Sequence, residues 1–547
     1  MKHVKLTLVL LFQLFIVAAF SGNEIYASEK GKILADQSVI MKDGTALATD
    51  IYIPAGEGPF PCILIRTPYN KKGTKGDCEW FQEKGFVVVT QDCRGKYGSQ
   101  GKFYPWIHDR ADGLETLEWI RGQEWFSGKI GTWGGSYVGY TQWAISDQVD
   151  VITPYVTGAD MYDLFYPAGI FSLGLSFSWG FIVDAQETNS IPPEKSKASY
   201  SILPLSAAAE ETIGKRSEFM DDWLKHENRD EYWQSQNHRG IAKADVISIA
   251  GWYDIFLLDQ LADFEALNSN RNDDRLIVTY FRHGSPAMKN DYGGPTKTGE
   301  PGLLAKQYLM NHLQDEQSEI FVPPFKDTKY NLFIMERNEF YGADNWPPKA
   351  ASFVNYYFGP NEYISTTILN DNTSLTYSYD PADPYPNLGG TAIGKNVGPA
   401  LQNSNVDRKD QVVFESSELD SSLVLLGPIS ATLYVSSDVK STDFYVCLQD
   451  VFENGDIVNI QEGGAKVNFD KDEIEQIDVD VWATGYQLNA GHKLRVVVCS
   501  SWFPRYNRNL NTGKPIFSAT EIKVARQEVH FGPEYPSHIT LPVLDLK

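Results

Sequence analysis

Apolar positions in the first half of the chain come in short continuous runs, not in strict alternation. Residues 62–65, 86–90, 129–133, 149–156, 246–250 and 276–280 are such runs, most of them rich in β-branched side chains. This pattern predicts strands buried on both faces. Between several of them, residues 109–121 and 136–146 space their apolar positions at helical intervals, so the expected arrangement is a mainly parallel sheet of βα units. Ahead of it, residues 37–54 alternate around Asp43-Gly44, a hairpin pattern. The rhythm stops from about 159 to 242. That stretch opens with aromatics, among them Tyr162, Phe165, Phe177, Trp179 and Phe181, and closes with a charged segment, 210–231, of helical spacing. It reads as a helical cap inserted over the sheet. From about Tyr330 onward helical patterns vanish, and short strand-like runs such as 423–426, 431–435, 444–448 and 493–499 are separated by Asn, Asp, Gly and Pro, as in an all-β sandwich. The expected organisation is therefore an α/β domain over 28–158 and 243–329, a cap over 159–242 and a β-sandwich over 330–547.

The first 27 residues have their own pattern. Lys2, His3 and Lys5 precede an apolar run, 6–20, broken only by Thr7 and Gln13, and a small-residue region ends at Ala27. This predicts a cleaved export signal and a secreted or periplasmic protein. The run falls short of the ~20 residues a membrane span needs, and the first cysteine is Cys62, so neither a membrane nor a lipid anchor is expected after cleavage. Charge changes the picture next: 48 basic against 71 acidic side chains give a net charge of -23, which excludes nucleic acid as a partner held by phosphate neutralisation. Five widely spaced cysteines without a CxxC pair exclude a disulfide framework and a structural zinc site. Cys62, Cys93, Cys447 and Cys499 read as buried small hydrophobes, while Cys78 is left open to pairing. The glycine-rich segment 294–299 lacks the Lys-Ser or Lys-Thr of a phosphate loop, and the acidic stretch 470–480 reads as a solvated turn and strand, so no metal or cofactor is called for.

The chemistry concentrates at Gly131-Thr132-Trp133-Gly134-Gly135-Ser136-Tyr137-Val138-Gly139, between a buried strand and an amphipathic helix. A serine on such a turn is pushed into an exposed position at the carboxyl end of the sheet, above a helix amino terminus. The strict G-x-S-x-G pattern is not met, since 138 is Val and glycine falls at 139. A serine nucleophile needs a histidine base and a carboxylate to orient it, following in the order carboxylate, histidine. Of nine histidines, His283 alone follows a predicted sheet strand after the serine, and Asp254 follows the neighbouring one. A loop histidine and a helix-capping aspartate remain the competing reading on spacing alone.

These residues resemble the CocE/NonD hydrolases, the group of cocaine esterase, α-amino acid ester hydrolase and glutaryl acylase, related to X-prolyl dipeptidyl peptidases. The likeness rests on Arg66-Thr67-Pro68-Tyr69, Gln91-Asp92-Cys93-Arg94-Gly95, Gly134-Gly135-Ser136-Tyr137, Gly251-Trp252-Tyr253-Asp254, Trp346-Pro347-Pro348, Tyr379-Asp380-Pro381, and Gly491-His492 with Asn511-Thr512-Gly513. The resemblance implies an α/β-hydrolase domain with an inserted helical cap and a carboxyl-terminal jelly roll. It implies Ser136 as nucleophile, His283 as base, Asp254 as its orienter, and an oxyanion hole from the Tyr69 phenol and the Tyr137 N–H. In that family glycine falls three residues after the serine, as here. One departure is Thr279-Tyr280-Phe281-Arg282, where the family has Gly-Pro-Trp before the histidine.

The expected function is an exported serine hydrolase that cleaves a small-molecule ester or amide through an acyl-enzyme, without a cofactor; oligomeric state is not legible. The alternatives are an acylase or α-amino acid ester hydrolase, then an X-prolyl dipeptidyl peptidase, and, from a different class, an inert carbohydrate-binding protein. Family members selecting α-amino acyl groups place carboxylates two and three residues after the triad aspartate. Phe256 and Leu257 stand there, with Asp163 and Asp184 the candidates for a third carboxylate, so a neutral, apolar or aromatic acyl group held by Phe256 and Trp179 is expected.

Overall fold

The computed structural model describes residues 31–185, 193–267, 273–283, 301–314, 328–368, 370–394, 397–469 and 473–546. The export segment and residues 294–299 lie outside them. A ten-stranded sheet takes the order Lys32–Ile40, Ala46–Ile53, Val87–Asp92, Phe60–Thr67, Phe126–Gly135, Val151–Tyr155, Asp245–Tyr253, Arg275–Arg282, Tyr330–Ile334, Glu339–Ala343. The strands from Val87–Asp92 to Tyr330–Ile334 are parallel, and antiparallel strands close both edges.

Double-sided burial explains the continuous apolar runs. Ile63 and Ile65 face one side, packed with Leu304, Tyr308 and Leu309 of the helix Pro301–Gln314. Cys62 and Leu64 face the other, packed with Leu117 and Ile120 of the helix Asp109–Arg121 and with Trp143. The sheet thus has helices on both faces, the architecture of an α/β-hydrolase.

Between Val151–Tyr155 and Asp245–Tyr253 the chain forms a set of short helices, the longest being Leu173–Asp184 and Glu218–Lys225. Their aromatics pack over the carboxyl end of the sheet, with Phe165, Phe177, Phe181 and Trp223 essentially inaccessible. The second body is an eleven-stranded jelly roll. Among the described residues its strands pair antiparallel except Tyr363–Ser365 with Gln411–Glu415. Glu475–Leu488, which includes part of the acidic stretch, is one of these strands and pairs along Leu423–Ser437.

Two details differ from the sequence reading. Tyr330–Ile334 and Glu339–Ala343, which lie beyond the boundary expected at 330, pair into the first sheet. Cys78 is not paired: all five cysteines are free and buried.

Candidate active site

Ser136 sits between the strand Phe126–Gly135 and the helix Tyr137–Trp143 with φ 55° and ψ -130°, a conformation that costs a non-glycine residue on the order of 1–3 kcal/mol. The turn is over-determined. The Ser136 N–H donates to the Tyr155 carbonyl at 3.0 Å, and its own carbonyl accepts from Gly139 and Tyr140 N–H and from the Thr157 hydroxyl. The glycine pattern follows from packing. A Cβ on Gly139 would lie 2.4 Å from Thr157, whereas Val138 fills the space above Gly134, where a Cβ would meet it at 2.2 Å. The close approach that G-x-S-x-G makes at 138 is therefore made at 139.

His283 follows the strand Arg275–Arg282, and Asp254 follows Asp245–Tyr253. His283 Nε2 lies 3.1 Å from Ser136 Oγ, and its Nδ1 lies 3.0 Å from Asp254 Oδ2. Asp254 is fully buried, and its other oxygen accepts the Phe256 N–H at 2.9 Å, which fixes the carboxylate edge facing the imidazole. The strands beneath come very close, because a Cβ on Gly251 would fall 2.2 Å from the Phe281 carbonyl. Here the Thr279-Tyr280-Phe281-Arg282 departure resolves into a register shift: Gly251 faces Thr279, but Tyr253 faces Arg282.

Tyr69 lies in the loop after Phe60–Thr67. Its phenol oxygen accepts the Trp179 indole N–H at 2.9 Å. Burial pushes the phenol up to about 12, partly offset by hydrogen bonds with Trp179 and Ser136, so it stays a neutral donor. Tyr137, at the first position of its helix, has no helical acceptor for its N–H, while its side chain is spoken for: the phenol donates to Asp109 at 2.6 Å and accepts the Trp106 N–H. Arg66 joins the same framework, donating to the Asp109 carbonyl and to Gln91. Arg94 clasps Asp112 through two bonds of 2.6 and 3.0 Å. The motif residues around Tyr69 thus tie its loop to the start of the helix Asp109–Arg121.

A cavity with about 360 Å³ of empty space opens at Ser136. Phe256 lines it and packs on the His283 ring at 5.5 Å. Trp179 lines it too, stacked on Trp106 at 5.1 Å. Leu257 does not; it is buried in the core at the start of the helix Leu257–Glu265. Asp163 and Asp184 are also elsewhere. Asp184 pairs with Lys215, and Asp163 joins Asp160, Asp259 and Asp263 around Arg229 and Arg239. Sequence reasoning missed Trp106 and Ile393, which also line the cavity. Trp106 had only its aromatic neighbourhood to mark it, and Ile393 comes from a jelly-roll loop with no pattern at all.

Comparison with known proteins agrees with this architecture. Residues 43–285 match the X-Pro dipeptidyl-peptidase (S15) family, and 325–540 match the X-Pro dipeptidyl-peptidase C-terminal non-catalytic domain. The chain is 31% identical to the cocaine esterase of Rhodococcus sp. (strain MB1 Bresler), over 94% of this chain and 98% of the relative. Among solved structures, an aminopeptidase from a marine sediment Thaumarchaeota archaeon superposes with a TM-score of 0.80 at 20% identity, covering 98% of this chain and 99% of that one. An α-amino acid ester hydrolase superposes with 0.77 at 21%, covering 97% and 98%. With a near-complete relative above 30% identity and both S15-type segments in order, this chain belongs to the CocE/NonD family and is a hydrolase of that type.

Proposed function

We propose that the protein is an exported carboxylesterase working through a Ser136–His283–Asp254 triad and an acyl-enzyme. The observation that carries this is the continuous chain of contacts from Ser136 Oγ through both imidazole nitrogens to a buried carboxylate. Ser136 Oγ attacks the ester carbonyl as His283 Nε2 accepts its proton; Asp254 holds the ring and stabilises the imidazolium. The oxyanion of the tetrahedral intermediate is met by the Tyr69 O–H and the Tyr137 N–H. Collapse returns the proton from His283 to the departing alcohol, and water then deacylates the serine by the same route.

The acyl group is neutral and apolar or aromatic. Among the described residues no carboxylate lines the cavity, so a substrate ammonium there would be left desolvated and unpaired at a cost of several kcal/mol. This disfavours an α-amino acid ester hydrolase or an aminopeptidase. Residues 1–27 support export, to be tested by amino-terminal sequencing of protein recovered outside the cytoplasm.

The test of the mechanism is labelling by a fluorophosphonate probe with the adduct mapped to Ser136, together with Ser136→Ala. That variant should lose on the order of 10⁴- to 10⁶-fold in rate. Activity within tenfold of the parent, with the fold intact by circular dichroism, overturns the triad.

A further inference from the structure

A second compartment adjoins the Ser136 cavity. Both are lined by Leu164, Leu175, Ile255 and Ile393, so the two share walls from the cap, the sheet and the jelly roll. The second holds about 490 Å³ of empty space, and its far side has a different chemistry. There Arg505, 6% exposed, meets the void. Its Nη1 pairs with the fully buried Glu462, and its guanidinium is held between the Trp482 and Tyr506 rings, 4.5 Å from each centroid. The pair is anchored further, because Glu462 Oε1 also accepts the Thr391 N–H at 2.8 Å.

The remaining edge of the guanidinium is unused. Among the described residues Arg505 Nε and Nη2 donate to no protein group, and neither is sealed in the core. A donor drawn out of bulk water and left without an acceptor opposes folding, so a ligand acceptor there is favoured. A planar group clamped by two rings with one N–H edge presented to a cavity is a preorganised recognition element.

We propose that this compartment is a substrate subsite, and that the preferred substrate is bipartite: an apolar acyl or aryl part at Ser136 and a second part whose uncharged carbonyl oxygen accepts from the Arg505 edge. The inference rests on the esterase reading above and adds a substrate class to it. The acceptor is uncharged because Glu462 already neutralises Arg505. A carboxylate would bring an uncompensated buried charge, which is expensive, whereas an amide or ester carbonyl satisfies the free donors at no such cost.

The experiment compares phenylacetate esters of matched length whose leaving alcohol, or in a second series whose aryl ring, is extended by a tether ending in an acetamide, an alkyl isostere or a carboxylate. Unextended methyl phenylacetate is the reference. In one series the acetamide should exceed its alkyl isostere by at least tenfold in kcat/KM. That preference should fall to near unity in Arg505→Met/Glu462→Gln, which removes both charges together so that neither is left buried alone. If that pair of substitutions fails to fold, Ala392→Phe narrows the compartment from its loop and should lower kcat/KM for the acetamide ester relative to the unextended reference. Turnover of methyl phenylacetate with no acetamide preference in either series overturns the subsite while leaving the esterase reading intact. Preference for the carboxylate overturns the assignment of an uncharged acceptor. Absence of any ester turnover, with no probe labelling at Ser136, defeats both.

Discussion

In the proposed mechanism, replacing Tyr69 by Phe removes one of two donors to the oxyanion and leaves Ser136, His283 and Asp254 untouched. Losing such a donor costs about 2.7–4 kcal/mol, or 10²–10³ in kcat, with little change in KM because the charge exists only in the intermediate. The structure adds a second handle. The phenol oxygen is held by the Trp179 indole N–H at 2.9 Å, so Trp179→Phe should release it. An uncharged hydrogen bond contributes about 0.5–1.5 kcal/mol net, which corresponds to roughly 2- to 13-fold in kcat. Trp179 also stacks on Trp106, Tyr137 and Trp223, and the smaller ring loses part of that contact. A double-mutant cycle separates the two effects, since the packing loss recurs in the Tyr69→Phe background and cancels, whereas the orienting effect does not. Steady-state kcat and KM on phenyl acetate for the four proteins give the answer. If Trp179→Phe costs the same with and without the phenol, Trp179 is a pocket wall only. If Tyr69→Phe retains kcat within threefold, or changes KM alone, the oxyanion assignment is wrong. With the phenol pushed up to about 12 by burial, kcat should also show no alkaline loss from Tyr69 below about pH 10.5.

Gly139→Ala places a methyl 2.4 Å from Thr157 and should lower stability by about 1–3 kcal/mol, read as a drop in Tm, with a fall in kcat because Thr157 holds the Ser136 carbonyl. An unchanged melt would mean that the helix start has slack. Burial, reinforced by Asp163 and Asp263, raises the Asp259 carboxyl well above its ordinary range, and Asp263 sits at about 6. A folded-state pKa above the unfolded one means that ionisation opposes folding at neutral pH and that protonation relieves it as pH falls. Asp259→Asn should therefore raise Tm by several °C at pH 8, with the gap closing toward pH 4; a lower Tm at pH 8 would show that its pairing with Arg239 outweighs the repulsion. For the acyl preference, kcat/KM for a phenylacetate ester should exceed that for the phenylglycine ester where the amine is charged, and the reverse order would restore an amino-acid ester hydrolase.

Legibility in the sequence followed how local each cause was. Strand and helix periodicity made the α/β order readable, and loops at the ends of neighbouring strands marked Ser136, Asp254 and His283, which the fold brings within hydrogen-bonding distance. That Tyr330–Ile334 joins the first sheet is not legible in the sequence, for a physical reason. Tyr330–Ile334 is a buried five-residue strand on any reading, and propensity carries no information about which sheet it will join. Asp163 reads from the sequence as a candidate ammonium partner, whereas in the fold it pairs with Arg229 and Arg239, far along the chain. Ile393 and Arg505 reach the cavities by docking of the jelly roll, a contact that no window of sequence contains.

That docking bears on how small a working catalyst can be made. Gln461 of the jelly roll donates to the Trp252 carbonyl at 3.0 Å, Tyr253 donates to the Asn459 carbonyl at 3.3 Å, and Arg282 donates to the Val397 carbonyl at 2.9 Å. These tethers grip the residues just before Asp254 and His283. A gene trimmed after Ala343 would keep Ser136, His283 and Asp254 yet lose the outer vise on the strands that carry the last two, and it would open Trp252 and Tyr253 to solvent. Efforts to miniaturise the proposed catalyst should therefore begin from the distal strands of the jelly roll, leaving the edge that carries Asn459 and Gln461 in place.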